Sequence, residues 1–198
     1  MRVIGIDPGL TRLGVGIVSS EGSRKLTFEH VEVLTSPAGA ELPARLHQLG
    51  SSLERLFDGE KPDAIAIERV FAQQNLPSVM GVAQISGIVM FLAQARGIPV
   101  AMYTPNEVKA SVTGYGAADK AQVTNMVTRL LGLAAPPKPA DAADALALAI
   151  VHAWHLGRGG APDRQRAAAV RGAGETPAQR AWREAESKGG RRRSGPRA

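Results

Sequence analysis

The 198-residue chain has no cysteine, which excludes disulfide staples, a thiolate nucleophile and any zinc or iron–sulfur centre built on sulfur. A resident metal would have to sit on oxygen or histidine. No run of residues approaches the roughly 18 apolar positions of a membrane span. The opening stretch Met1-Arg2-Val3-Ile4-Gly5-Ile6-Asp7 meets a charge and then a Pro-Gly turn too early to serve as the apolar segment of a signal peptide. The expectation is a soluble, cytoplasmic protein. No internal repeat with a period of 20 to 50 residues is visible, and the length suits one well-packed domain plus a tail.

The net charge of +6 is unevenly spread. Residues 1–156 are close to neutral, at −1, whereas residues 157–198 carry +7. That second segment is rich in Gly, Ala, Arg and Pro and ends Gly-Gly-Arg-Arg-Arg-Ser-Gly-Pro-Arg-Ala. It cannot bury enough apolar surface to offset its ordering entropy. The division predicted is a domain over 1–156 and a basic, mostly disordered tail over 157–198. The tail has room for one short helix between Thr176-Pro177 and Gly189-Gly190. It can act as a loose polyanion tether or as a solubilising appendage.

Val3 to Ile6 and Leu13 to Val18 read as a hairpin around Asp7-Pro8-Gly9, and Phe28 to Leu34 as an exposed antiparallel edge. From Pro43 the apolar spacing becomes helical, through Leu46, Leu49, Leu53, Leu56 and Phe57, with Asp58-Gly59 as the stop. Ala64 to Ile67 is a buried strand ending at Glu68. A long helix over Pro77 to Arg96, a strand over Val100 to Tyr103, and two helices over Lys120 to Leu131 and Ala140 to His155 complete the order β-β-β-α-β-α-β-α-α. The predicted class is α/β, a mixed five-stranded sheet with three antiparallel strands first, parallel strands after, and helices on both faces.

Four acids stand out. Asp7 and Glu68 each end a strand, where sites of α/β sheets gather. Asp141 and Asp144 lie three residues apart at the start of the last helix, on one face of an otherwise apolar segment. Two acids there are costly unless a cation meets them. Taken singly, each has an ordinary explanation: Asp before Pro-Gly as a turn residue, Asp141 as a helix N-cap. Together they suit Mg²⁺ or Mn²⁺, whose ligands are carboxylate oxygens, waters and substrate phosphate. Two such ions about 3.5 to 4 Å apart assist in-line phosphoryl displacement. Beside a metal-dependent DNA-cutting enzyme, other readings are a nuclease of the same fold acting on RNA, a non-catalytic DNA-binding subunit, and an actin-like phosphotransferase, whose first strand also runs into an Asp-x-Gly turn but which needs a second such domain.

The strings Gly5-Ile6-Asp7-Pro8-Gly9, Ala66-Ile67-Glu68-Arg69-Val70-Phe71 and Ala140-Asp141-Ala142-Ala143-Asp144-Ala145-Leu146-Ala147 resemble the RuvC family of Holliday junction resolvases, in the family's order, over roughly residues 1–156. The resemblance implies an RNase H-like fold, a homodimer on four-way junction DNA and Mg²⁺-dependent paired nicks in recombination and repair. It also implies a RuvA–RuvB branch-migration complex as partner. Asp7, Glu68, Asp141 and Asp144 become the catalytic, metal-binding acids; some relatives carry His at the position of Asp141.

By the same resemblance Phe71 contacts DNA near the crossover, Lys109 and Lys120 are lysines near the active site, and Gln73, Gln74 and Asn75 fall in the loop beside them. Bottom-up, Phe71 alone reads as core packing, and the other three as a polar loop able to reach bases or phosphates. Lys120 opens a helix, where backbone N–H groups favour a phosphate. Many relatives are basic in this loop, but this chain has no Lys or Arg between Arg69 and Arg96, so Lys109, Lys120 or the tail must supply charge. The helix from Pro77 is apolar nearly all round, so one side can cover the sheet and the other needs a partner, with Gly81 and Gly87 allowing close approach. No role is assigned to His30, His47, His152 or His155.

Overall fold

The computed structural model describes residues 1–21, 25–69 and 76–157, with only the helical backbone at 76–78. Of the predicted tail, only Gly157 is among these residues, as part of the last helix, and 158–198 lie outside them. The elements are strands β1 (Arg2–Asp7), β2 (Arg12–Ser20), β3 (Leu26–Thr35), β4 (Ala64–Glu68) and β5 (Val100–Tyr103) and helices α1 (Leu42–Glu60), α2 (Leu76–Ala95), α3 (Pro105–Thr113), α4 (Lys120–Leu130) and α5 (Ala140–Gly157), in the order β1-β2-β3-α1-β4-α2-β5-α3-α4-α5. The sheet order is β3-β2-β1-β4-β5. The first three strands pair antiparallel, and β1–β4 and β4–β5 pair parallel. The five-stranded mixed sheet and the edge position of β3 are as the sequence predicts.

Strand alternation sorts the core into two layers. Ile4, Ile6, Ile65 and Ile67 face α1 and α2, where Leu49, Leu53, Phe57, Ile85 and Val89 cover them. Each such fully buried side chain contributes about 1.5–3 kcal/mol. Val3, Val18 and Ala66 face the other way, toward α3, α4 and α5. Asp7 and Glu68 share the parity of Val3 and Ala66, so alternation points both at the α5 layer.

Three details differ from the sequence reading. The stop at Asp58-Gly59 is not used: α1 runs on to Glu60, and Lys61 takes the left-handed conformation (φ 46°), its N–H donating to the Phe57 carbonyl. Pro62 follows, and the residue before a proline is disfavoured in the α-helical region. Helix α3 was not anticipated. Its signal is Thr104-Pro105-Asn106-Glu107: the Thr104 hydroxyl accepts from the Glu107 N–H, the Glu107 carboxylate accepts from the Thr104 N–H, and Pro105 sits in the first turn. Gly81 does not face a second helix; a Cβ there would lie 2.5 Å from Leu10 Cδ1, in the β1–β2 turn, whereas Gly87 opens onto free space.

The contact that sets the whole arrangement is α5 on β1 and β2. A Cβ on Gly5 would lie 2.1 Å from the Ala145 carbonyl oxygen, on Gly14 2.2 Å from that of Asp141, and on Gly16 2.6 Å from the Leu146 nitrogen. Gly5 and Gly16 are cross-strand partners. The helix therefore rests on backbone, with Ala142, Ala145 and Ala149 buried in the seam. No described helix is long and apolar enough to cross a membrane.

Gly5→Ala is expected to destabilise the fold by about 3 kcal/mol or more, since overpacking here meets main chain that cannot step aside. Gly59→Ala, in helix with nothing within 4 Å of the added methyl, is expected to stabilise by roughly 0.5–1 kcal/mol. Urea unfolding of both variants checks the opposite signs.

Candidate functional site

Register brings the first two acids together. Ile6 of β1 pairs with Ile67 of β4, so Asp7 and Glu68 leave neighbouring parallel strands side by side. Tyr103 pairs with Glu68 from β5. Helix α5 arrives from above on the glycine seam, and Asp7 is itself the cross-strand partner of Gly14, on which the Asp141 backbone rests. A cleft of about 260 Å³ results, lined by Asp7, Glu68, Asp144, Lys109 and Lys120, with Pro105, Val108, Val123 and Leu148 as its apolar wall. Asp141 lies outside that lining, turned toward Arg12.

The cations that the two α5 acids require are present. Lys120 Nζ donates to Asp144 Oδ2 at 3.1 Å, which raises the lysine's pKa. Arg12 Nε lies 3.0 Å from Asp141 Oδ2, yet that oxygen, buried, receives no hydrogen bond: the guanidinium is at ion-pair distance but misdirected. Arg12 was not anticipated, because nothing in the sequence links the hairpin turn to the last helix. The N-terminus of α4 is less open to a phosphate than its sequence suggests, since the Asp119 carboxylate already accepts from the Gln122 N–H there.

Electrostatics couples the acids. Burial, and then the negative charge of Glu68, Asp144 and Asp141, pushes Asp7 up to about 7, with Lys120 opposing. Glu68 is raised by burial and by Asp144, against Lys120 and Lys109. An all-oxygen donor set, a carboxyl held half-protonated near neutrality by burial and then by its acidic neighbours, and the buried Asp141 oxygen lacking a hydrogen bond all fit a hard divalent cation. No group of three or more acids or histidines among the described residues is already gathered to hold a metal. The same forces account for that: without a cation the carboxylates repel, and two of the four turn to Arg12 and Lys120.

Behind the cleft, the Tyr103 hydroxyl lies 2.8 Å from His152 Nδ1 and 2.9 Å from His155 Nδ1, so two histidines left without a role tie β5 to α5. Burial and His155 lower His152 to about 4. Phe71, Gln73, Gln74 and Asn75, the expected DNA contacts between β4 and α2, lie outside the described residues.

Because Asp7 holds its proton more tightly in the fold than in the unfolded chain, the metal-free protein loses stability from this group as pH rises from about 4 to about 7. His152 acts oppositely, losing stability as pH falls from about 6.5 to about 4. Asp7→Asn removes only the first effect. In chelator, its melting temperature is expected to exceed the native one by at least about 5 °C at pH 8 and to match it near pH 4; parallel curves would contradict the burial assigned to Asp7.

The family model described as crossover junction endodeoxyribonuclease RuvC matches residues 3–152. A protein of that name from Leifsonia xyli is 54% identical over 100% of this chain and 97% of its own length. One from Streptomyces avermitilis is 59% identical over 78% of this chain and 88% of its own. Among solved structures, Thermus thermophilus RuvC in complex with Holliday junction substrate superposes with a TM-score of 0.77 at 34% identity, covering 82% of this chain and 98% of that one. The yeast mitochondrial Holliday junction resolvase shares the fold, with a TM-score of 0.56 at 18% identity, over 78% of this chain and 80% of that one.

Proposed function

The chain belongs to the RuvC family of crossover junction endodeoxyribonucleases and has its RNase H-like fold, and from that premise we propose that it resolves four-way DNA junctions by paired, symmetric, metal-dependent phosphodiester hydrolysis. The observation that carries the chemistry is the parallel register that sets Asp7 beside Glu68 under the first turn of α5.

In this reading Asp7, Glu68, Asp141 and Asp144 hold the metal, Mg²⁺ with Mn²⁺ able to substitute, as two ions. Bound there, such ions supply an activated water and positive charge for the leaving 3′ oxygen. Asp7 gives up its proton to become a ligand, and Glu68 beside it supplies the second strand-end carboxylate. Lys109 and Lys120, on the cleft wall, bind the flanking phosphates, and Val108, Val123 and Leu148 exclude bulk water from one side. Phe71 is the stacking contact at the junction centre, with Gln73, Gln74 and Asn75 reaching bases or phosphates.

Two nicks related by symmetry call for two copies. Helix α2 offers the surface: Ile85, Val89 and Ala93 face the sheet, while Met80, Met90 and Phe91 are exposed, Phe91 by 72%. A homodimer through this face, a RuvA–RuvB complex as the branch-migration partner, a cytoplasmic site of action and the basic tail as a polyanion tether complete the proposal.

Asp7→Asn and Glu68→Gln are each expected to lower junction cutting on the order of a thousand-fold while leaving junction binding in place; denaturing-gel product analysis on a mobile four-way junction reads this, and full cutting by Asp7→Asn with Mg²⁺ present would sink the site. Phe91→Glu is expected to shift sedimentation from dimer to monomer and to turn paired nicks into single ones. A native chain that sediments only as monomer at micromolar concentration contradicts the dimer.

A further inference from the structure

Arg12 opens β2 and shares the strand parity of Gly14, the residue on which the Asp141 backbone lies. That parity carries its guanidinium to the Asp141 carboxylate and to the edge of the acidic cleft. The pair has an unusual form. Nε stands 3.0 Å from Oδ2, with Arg12 59% and Asp141 22% exposed, so the cation sits on the solvent side of a mostly covered anion. The oxygen it approaches nonetheless lacks a hydrogen bond. An ion pair that is exposed on its cationic side and lacks directed hydrogen bonds is weak. A hard divalent ion on the same carboxylate has the stronger claim.

The backbone beneath Arg12, by contrast, is firmly held. A Cβ on Gly9 would lie 2.3 Å from the Arg12 carbonyl oxygen, and Leu10 packs on Gly81 of α2. The Ser36 hydroxyl donates to the Leu10 carbonyl, and Arg45 donates to Ser36 Oγ at 3.0 Å and to Thr11 Oγ1 at 2.9 Å. Above this held turn, the exposed Arg12 side chain can change partner. Its position also matters, because Lys109 and Lys120 reach the cleft from α3 and α4, and Arg12 comes from the β2 side of Asp7.

We propose that Arg12 is a displaceable counter-ion of the site: it neutralises Asp141 while the acids are metal-free, is displaced when a divalent cation takes that carboxylate, and then binds a backbone phosphate of the DNA held in the cleft. The inference rests on the metal-site reading above and adds a coupling to it. Metal arrival both removes negative charge and frees a positive one, so DNA affinity at this spot rises by two changes at once. Guanidinium suits the second role because its planar donor fork matches two phosphate oxygens.

Calorimetric titration of Mn²⁺ into the full chain, without DNA, tests the first half. Arg12→Gln is expected to tighten Mn²⁺ binding roughly three-fold to ten-fold, because a competing charge is gone, and Arg12→Lys is expected to stay near native. The gain must vanish in the Asp141→Asn background, and Arg55→Gln, a cation removed from the opposite face of the sheet, must give none. Junction binding in Ca²⁺ tests the second half: Arg12→Gln is expected to lower affinity and to reduce the salt-dependence slope by about one. Native Mn²⁺ affinity and an unchanged salt slope in Arg12→Gln, with Asp7→Asn still weakening Mn²⁺, overturn the counter-ion role and leave the metal site standing. Mn²⁺ binding indifferent to both Asp7→Asn and Asp141→Asn overturns the metal site, and this proposal with it.

Discussion

Everything at the candidate site depends on one close approach, the main chain of α5 laid against the main chain of β1 and β2. Three glycines make it possible, with the Asp141 and Ala145 carbonyls and the Leu146 nitrogen occupying the space where their side chains would be. The consequence is positional. The first turn of α5 is brought down beside the strand end that carries Asp7, and its acids come within electrostatic reach of Asp7 and Glu68. Larger residues in the seam would lift the helix, and with it half of the carboxylates.

Bringing three acids within electrostatic reach of Asp7 has a cost that the fold meets in two ways. Asp7 keeps its proton to about neutral pH, and the α5 acids lean on Arg12 and Lys120. On the reading proposed above both are provisional arrangements, since a divalent cation takes the place of the Asp7 proton and of Arg12 on Asp141. Over residues 1–156 the chain has a net charge of only −1, so there is no broad positive field to draw DNA toward the cleft. Attraction has to come from local cations and from the basic tail, and in the metal-free state two of the local cations are occupied with carboxylates.

Much of this was legible in the residues themselves. Asp7 and Glu68 could each be placed at a strand end because both follow short apolar runs, but that they sit side by side needed the parallel pairing of β1 and β4. Asp141 and Asp144 could be paired because helical spacing is equally local. What was not legible is what depends on contacts distant in sequence. The meaning of Gly14 and Gly16 within the second strand lies in the helix that rests on them. Arg12 gave no hint of Asp141. Gly81 read as an approach point for a second copy, when its neighbour is Leu10 of the same chain. Helix α3 is a different case, since its capping box, Thr104 to Glu107, is local and written in the residues themselves.

The glycine seam also bears on how such a protein can drift. The height of α5 above the sheet is fixed by backbone against backbone, not by the shape of any bulky side chain. Exchanges among the large apolar residues elsewhere, such as Leu49, Leu53 or Val127, alter the volume of a layer without resetting the distance between Asp7 and the last helix. The spacing of the acids is in this sense decoupled from most of the core. A lineage can repack its interior, shift its stability and adapt to a new temperature while the acids keep their mutual geometry, provided that the few positions where main chains touch remain without a side chain.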